Sequence, residues 1–387
     1  MTSSTRSYMV SDWEEPHVTR AEGPYVFDRN GKRYLDFVMG WCVGHLGWGG
    51  REIRAAMRKF SGPAYVKPYY QYEAWGALAQ LLAEITPGKL RRSFRATGGT
   101  EAVEIALQVA MLYKGRGRFV SIEGSYHGNS IGTISIADSE NRKTYKNLLP
   151  NCRKIDPPLD RAAAERVETL LKKRDVAAFI MEPISMNMGV LEPDPYFMRR
   201  VRELCTRYGT LLIFDEVACG FGRTGRLFAC EHFNVVPDVM CMAKAITGGY
   251  AGMGATIVTD EVAEAVKDDA NVWSSYGWHP LSVAAATANL RYIKESRKRL
   301  LANVNSLGEY FRARLVRMFA EKATVRVRGL AIAVELGDAD KVSRVQARCR
   351  KAGLLVDDDE DTLLMFPPLN LDRKLAKRGL DILEHCL

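Results

Sequence analysis

Little in this chain points to an exported, metal-bound or membrane-embedded protein. Its 387 residues include eight cysteines, yet no two form a Cys-x-x-Cys pair and none has a histidine at zinc-ligand spacing. That pattern excludes a disulfide framework and a structural zinc site. Cys42, Cys152, Cys205, Cys219, Cys230, Cys241, Cys349 and Cys386 read as free thiols of a reducing compartment. Residues 1–8 lack the apolar core of a secretory signal. No apolar run approaches the ~20 residues of a membrane span. A cytoplasmic protein with no membrane partner is expected. Repeats, low-complexity tracts and long linkers are also missing. The net charge of +9 has no concentrated tract behind it. Residues 51–59, 114–118 and 291–299 hold modest basic clusters of the kind solvated helix faces carry. Nucleic acid is not an expected partner, although an anionic cofactor or substrate gains from the field.

What is present is a long soluble chain, 47% hydrophobic and 26% charged. Its length calls for two domains or three. Residues 24–38 read as a hairpin around Asn30-Gly31. Helix and strand signals then alternate. Helices are expected at 99–114, 161–173 and 196–208. Strands are expected at 118–122, 176–181, 211–214, 239–242 and 255–258. Alternation of this kind gives an α/β fold with a mostly parallel sheet and helices on both faces. After Pro280 the pattern changes. Two long helices are expected at 281–295 and 301–321. Strands are expected at 325–336, 354–356 and 363–366, and the acidic run Asp357-Asp-Asp-Glu-Asp361 is expected as a solvated turn. The division is therefore 1–39 as the N-terminal segment of a small α+β domain, 40–280 as the large domain, and 281–387 as the rest of the small one.

In a parallel sheet, ligands bind beyond the carboxyl ends of the strands. Four expected strands deliver chemistry there. Tyr126-His127-Gly128 follows one, Glu182-Pro183 a second, Asp215 closes a third, and Lys244 follows the fourth. Any one has a plain structural explanation, since an acid after a strand is often a helix cap and a tyrosine often core. Together they are a set. An acid and a lysine closing buried strands are the pair that pyridoxal 5'-phosphate requires. The lysine forms a Schiff base with the aldehyde, and the aspartate keeps the pyridine nitrogen protonated so that the ring acts as an electron sink. The run Ala96-Thr-Gly-Gly-Thr-Glu-Ala102 opens a helix. Its small residues and free N–H groups suit a phosphate.

These stretches carry a resemblance. Asp28-Arg-Asn-Gly-Lys-Arg-Tyr-Leu-Asp36, Gly98-Gly-Thr-Glu-Ala102, Tyr126-His-Gly128, Glu182-Pro183, Asp215-Glu-Val217 with Gly220-Phe-Gly-Arg-Thr-Gly225, Pro237-Asp238 through Lys244, and Pro367-Pro-Leu369 run in order over nearly the whole chain. The chain resembles the class III aminotransferases of fold-type I. The resemblance implies Lys244 as Schiff-base lysine and Asp215 as partner of the pyridine nitrogen. It implies Tyr126 stacked on one ring face with Val217 on the other, and Gly99 and Thr100 on the phosphate. His127 and Glu182 complete the implied cofactor set. Ser275 stands where a threonine of the family reaches the phosphate across a dimer interface, so a homodimer is implied.

Departures bear on the substrate. Ornithine-type members place an arginine three residues before Pro-Pro-Leu and pair it with a glutamate five residues after the Glu of Glu-Pro. Here those positions are Leu364 and Asn187. Losing both is self-consistent, because losing one would strand a charge. Ala218 replaces the usual glutamine after Asp-Glu-Val, and Trp41-Cys42-Val43 matches a run near the substrate mouth of ω-amine members. Trp41, Cys42 and Leu364 are therefore the expected substrate contacts. Arg95, Lys67 and Arg326 are candidate cations for the acceptor. The loop Gly249-Tyr-Ala-Gly-Met-Gly254 lacks the family's proline. The expected reaction moves an amino group from an amine or ω-amino acid donor to an oxo-acid acceptor by a ping-pong cycle. An aminomutase, epimerase or decarboxylase on the same scaffold stays open, as does a non-catalytic cofactor-binding protein.

Overall fold

The computed structural model describes residues 16–115, 117–269 and 272–387; residues 1–15, including the stretch read for a signal, lie outside them. Strands β1 (Val18–Glu22), β2 (Tyr25–Asp28) and β3 (Arg33–Asp36) form the N-terminal meander, with the expected hairpin register of Tyr25 opposite Leu35. The large sheet follows with β4 (Leu90–Ala96), β5 (Arg118–Ile122), β6 (Cys152–Ile155), β7 (Val176–Met181), β8 (Leu211–Asp215), β9 (Val239–Met242) and β10 (Gly254–Thr259). Their order across the sheet is β4-β10-β9-β8-β7-β5-β6. Only β10 runs antiparallel to its neighbours β4 and β9. The carboxyl ends of β4, β5, β7, β8 and β9 therefore share one edge, and the amino end of β10 joins them. The strand order reverses between β5 and β7, the switch point at which such sheets open a crevice.

Burial explains the strands. Every residue of β7, β8 and β9 is buried, as in a sheet covered on both faces. The helix Gly99–Lys114 buries Ala102, Val103, Ile105, Ala106, Leu107, Val109 and Ala110 and packs on β9 and β10. Gly115, left-handed at φ 59, ends it by donating to the Met111 carbonyl.

The C-terminal part adds β11 (Thr324–Arg328), β12 (Ala331–Glu335), β13 (Leu354–Leu355), β14 (Asp357–Asp359) and β15 (Thr362–Met365). One small sheet has the order β11-β12-β15-β14, and β13 joins the N-terminal meander beside β3. A second core fills this smaller domain, with Phe37 edge-on to Phe311 at 5.7 Å.

Three expectations need correction here. The two helices of 281–295 and 301–321 are a single 40-residue helix, Pro280–Phe319. The polar run at 296–299 is the solvent face of a continuous helix, since Ile293 and Leu300 on either side are both buried. The segment 325–336 is two antiparallel strands, folded back at Gly329, whose φ of +58 suits the turn. The acidic run is a strand over Asp357–Asp359, paired antiparallel with β15, and only Glu360 and Asp361 turn. Sequence reading also passed over β1, β4 and β6.

Candidate active site

A cavity of about 850 Å³ opens at the shared strand edge. Asp215, the last residue of β8, is 4% exposed on its floor. Its Oδ2 lies 2.8 Å from Nδ1 of His127, and its Oδ1 accepts the Val217 N–H at 3.0 Å. His127 thus donates to the carboxylate and fixes its orientation. The opposite ring nitrogen of His127 is buried without a partner among the described residues. Glu182 follows β7, also 4% exposed. Burial, and then the nearby charge of Asp215, hold its carboxyl well above the usual range. It takes one N–H, from Met186 at 3.3 Å. Two acids therefore lie close together on the cavity floor, and burial disfavours the charged form of Glu182.

Lys244 follows β9 and opens a short 3-10 turn, Lys244–Ile246. Its φ of 42 is a left-handed value that a residue with a Cβ rarely adopts, the kind of local strain found at functional sites. The side chain lines the cavity, with Nζ 6.0 Å from the Trp41 ring centre. From β4, Thr97-Gly98-Gly99-Thr100 enters the helix, and its first-turn N–H groups face the same cavity. A Cβ on Gly128 would lie 2.5 Å from Thr100 Oγ1, so the loop bearing His127 can close on the helix start only with glycine there. Val217 packs against that start as well. Tyr126 stands half-exposed on the cavity wall, its hydroxyl pushed up by burial and then by Asp215.

Not every expected residue reaches the cavity. Trp41 does, but Cys42 and Leu364 are fully buried behind it. The cause for Cys42 is local: Met39, Gly40, Trp41 and Cys42 all have positive φ, a left-handed turn that sends Trp41 outward and Cys42 inward. The Cys42 thiol meets Arg223, a fully buried guanidinium whose Nη1 donates to the carbonyls of Leu330 and Pro367 at 3.0 and 2.6 Å. Leu364 sits inside the small sheet between Ala333 and Asp357 and belongs to the core. Ser275 is exposed and does not line its own chain's cavity. Of the candidate cations, Arg326 is engaged by Gly189 O at 2.6 Å and Glu335 at 2.7 Å. Arg95 stacks on Trp75 and donates to Pro68 O. Lys67 lies over Tyr69 and Tyr70. Sequence reading missed Asp359, which lines the cavity, and Asp357, which accepts the Trp41 indole N–H.

The residues suit pyridoxal phosphate on their own chemistry. A buried carboxylate can face a protonated ring nitrogen, a helix start can take an anion, and a lysine stands in the same cavity. Comparison with known proteins agrees. The family model for aminotransferase class-III matches residues 9–387. The acetylornithine aminotransferase of Archaeoglobus fulgidus is 35% identical over 377 residues, 95% of this chain and 94% of that protein. A solved aminotransferase from Bacillus anthracis superposes with a TM-score of 0.91 at 28% identity, covering 99% of this chain and 96% of the other. An amine transaminase from an uncultivated Pseudomonas species, solved with the cofactor bound, gives 0.89 at 28% identity, with 97% of each chain covered. The chain belongs to the class-III aminotransferases and is a pyridoxal-phosphate-dependent transaminase.

Proposed function

We propose that the enzyme takes an amino group from a donor whose reacting carbon bears no carboxylate and passes it to an oxo-acid in a ping-pong cycle. When bound, pyridoxal phosphate supplies an aldehyde that captures amines and a ring that accepts an electron pair from the donor carbon. Lys244 anchors the cofactor and, once displaced, its Nζ carries the proton away from the donor carbon. Asp215 holds a proton at the pyridine nitrogen, and His127 keeps the Asp215 carboxylate aimed. Gly99 and Thr100 hold the phosphate through N–H groups at the helix start. Tyr126 and Val217, both on the cavity lining, would cover the two ring faces. Burial and the neighbouring Asp215 disfavour a second negative charge at Glu182.

The observation that carries this reading is the meeting of Lys244, Asp215 and the Gly98–Thr100 turn in one cavity from three separate strand ends. The exposed face around Ser275 supports a homodimer. Tyr65 and Tyr276 pair at 5.9 Å there, and Tyr69 and Trp273 at 5.6 Å, with all four residues about half to two-thirds exposed. A second copy covering that face would bring its own Ser275 to the phosphate.

The donor reading rests on what the cavity lacks: Leu364, at the family's arginine position, lies in the core, Asn187 replaces the glutamate, and no arginine lines the cavity among the described residues. A buried leucine offers a carboxylate no compensation for lost water. The deciding measurement compares kcat/KM for a simple primary amine and for an α-amino acid, each with pyruvate and with 2-oxoglutarate. A strong preference for α-amino groups would overturn the donor reading. Amine turnover without consumption of an oxo-acid would favour an isomerase or decarboxylase on the same residues.

A further inference from the structure

Beyond Asp215 and Glu182, the cavity lining includes two further acceptor-bearing side chains, Asp359 and Asn187. Strand β14 alternates, so Asp357 and Asp359 share one face and Asp358 takes the other. Asp358 is occupied on its side by Gln346. Asp357 is occupied by the Trp41 indole N–H. Asp359 lines the cavity, and no ion pair reaches it among the described residues. Burial and then four neighbouring acids, Glu360, Asp358, Asp357 and Asp361, hold its carboxyl above the usual range, and no cation offsets them.

A second group gives an independent sign of the missing ligand. The Asn187 Nδ2 donates to Gly124 O at 3.0 Å, which fixes the amide orientation because a carbonyl needs a donor. Its Oδ1 is left buried and without a partner on the cavity wall. A buried acceptor in that condition is destabilising until a donor arrives. The third group is the Trp41 ring. Lys244 Nζ lies 6.0 Å from its centre, at the edge of cation–π range, so this ring already faces one ammonium. Among the described residues the only cation lining the cavity is Lys244, which the chemistry uses. A carboxylate, an orphaned carbonyl oxygen and an aromatic face together match an ammonium group carrying several N–H donors.

We propose that Asp359 and Asn187 receive a second, non-reacting ammonium of the donor, so that the preferred donors are diamines or similarly dicationic amines. This rests on the transaminase reading of the Lys244 cavity. It narrows that reading, because an ω-amino acid would bring a carboxylate to the same wall.

The test uses the holoenzyme and three donors of matched length: pentane-1,5-diamine, pentylamine and 5-aminopentanoate. The cofactor absorbance change on mixing gives a rate and an apparent affinity for each. The diamine should exceed pentylamine by about tenfold in rate over affinity constant, and 5-aminopentanoate should be the poorest. Asp359→Asn should bring the diamine-to-pentylamine ratio to within about twofold, through the affinity constant and not the limiting rate, while Asp359→Glu should keep the preference. Calorimetry of the diamine against Lys244→Ala protein, with and without Asp359→Asn, gives a binding readout independent of turnover. Pentylamine reacting as well as the diamine would overturn the proposal alone. So would a preference for 5-aminopentanoate, which would mean that a second copy supplies a cation to this wall. A ratio unmoved by Asp359→Asn would also overturn it. No spectral change with any amine would overturn both the proposal and the transaminase reading.

Discussion

The two ends of the cavity are built in different ways. The Asp215 end is made of strand termini: each functional residue is delivered by one strand of one sheet, and its position follows from where that strand stops. The Trp41 end is made of a left-handed turn, the loop after Glu182 and strand β14 of another sheet. The first end is rigid and shared by chemistry that any amino donor needs. The second is assembled from segments remote in sequence, and Trp41 and Asp357 are 316 residues apart. Side chains there can change without disturbing the sheet that carries the chemistry. Reaction and choice of donor are thus separable in this molecule.

Substitutions at the two ends should therefore fail differently. The largest effect is expected from Lys244→Ala. It should cut turnover by about 10³-fold or more, with the thermal midpoint nearly unchanged, because no other lysine among the described residues lines the cavity. Borohydride reduction followed by peptide mapping should mark Lys244, and label on another lysine would remove it from its role. Asp215→Asn should lower the rate of the amine half-reaction by roughly 100-fold for every donor alike, with cofactor still bound. A donor-dependent loss there would blur the separation between the two ends.

Leu364→Ala tests a residue that the sequence places at the donor and the fold places in the core. A core leucine should cost about 2–5 kcal/mol of stability on truncation, read by denaturant midpoint, and leave the ranking of donors as it was. A changed ranking at unchanged stability would return Leu364 to the donor wall. The smallest effect is expected from Asp357→Ala. Freed of its acceptor, the Trp41 indole loses about 1 kcal/mol of hydrogen bonding, and KM for amines should rise roughly three- to tenfold with little change in kcat. Asp357→Asn keeps an acceptor oxygen and should recover most of the loss. A fall in kcat in place of a rise in KM would tie Trp41 to the proton transfer.

The same contrast governs what the sequence makes legible. Asp215, Glu182, His127 and Lys244 could be placed because a buried apolar run has a definite end and parallel sheets put those ends together. The donor wall could not. The direction of Trp41 depends on consecutive positive φ values that no residue type there except Gly40 favours. The acidic run looks like a turn because five like charges should repel in a strand. It pairs nonetheless, since β15 presents Leu363 and Leu364 to hold it. Charge misled the helix reading too, as 296–299 looks like a break although the buried positions on either side stay in phase. Leu364 shows the limit of motif counting: its offset from Pro367 is right, but its side chain is turned into the core.

The 40-residue helix Pro280–Phe319 has a mechanical consequence. At 1.5 Å per residue it is about 60 Å long. Its first turn follows the loop bearing Ser275, and its last lies under the small sheet beside β11. Had the chain broken near residue 296, the small domain would hang on a joint. As one rod, the helix couples the two ends like a beam: a tilt of about 3° over that length displaces the far end by about 3 Å. A tilt of the small sheet would then be transmitted along the rod to the surface carrying Ser275, and anything docked there would stiffen the small sheet from a distance.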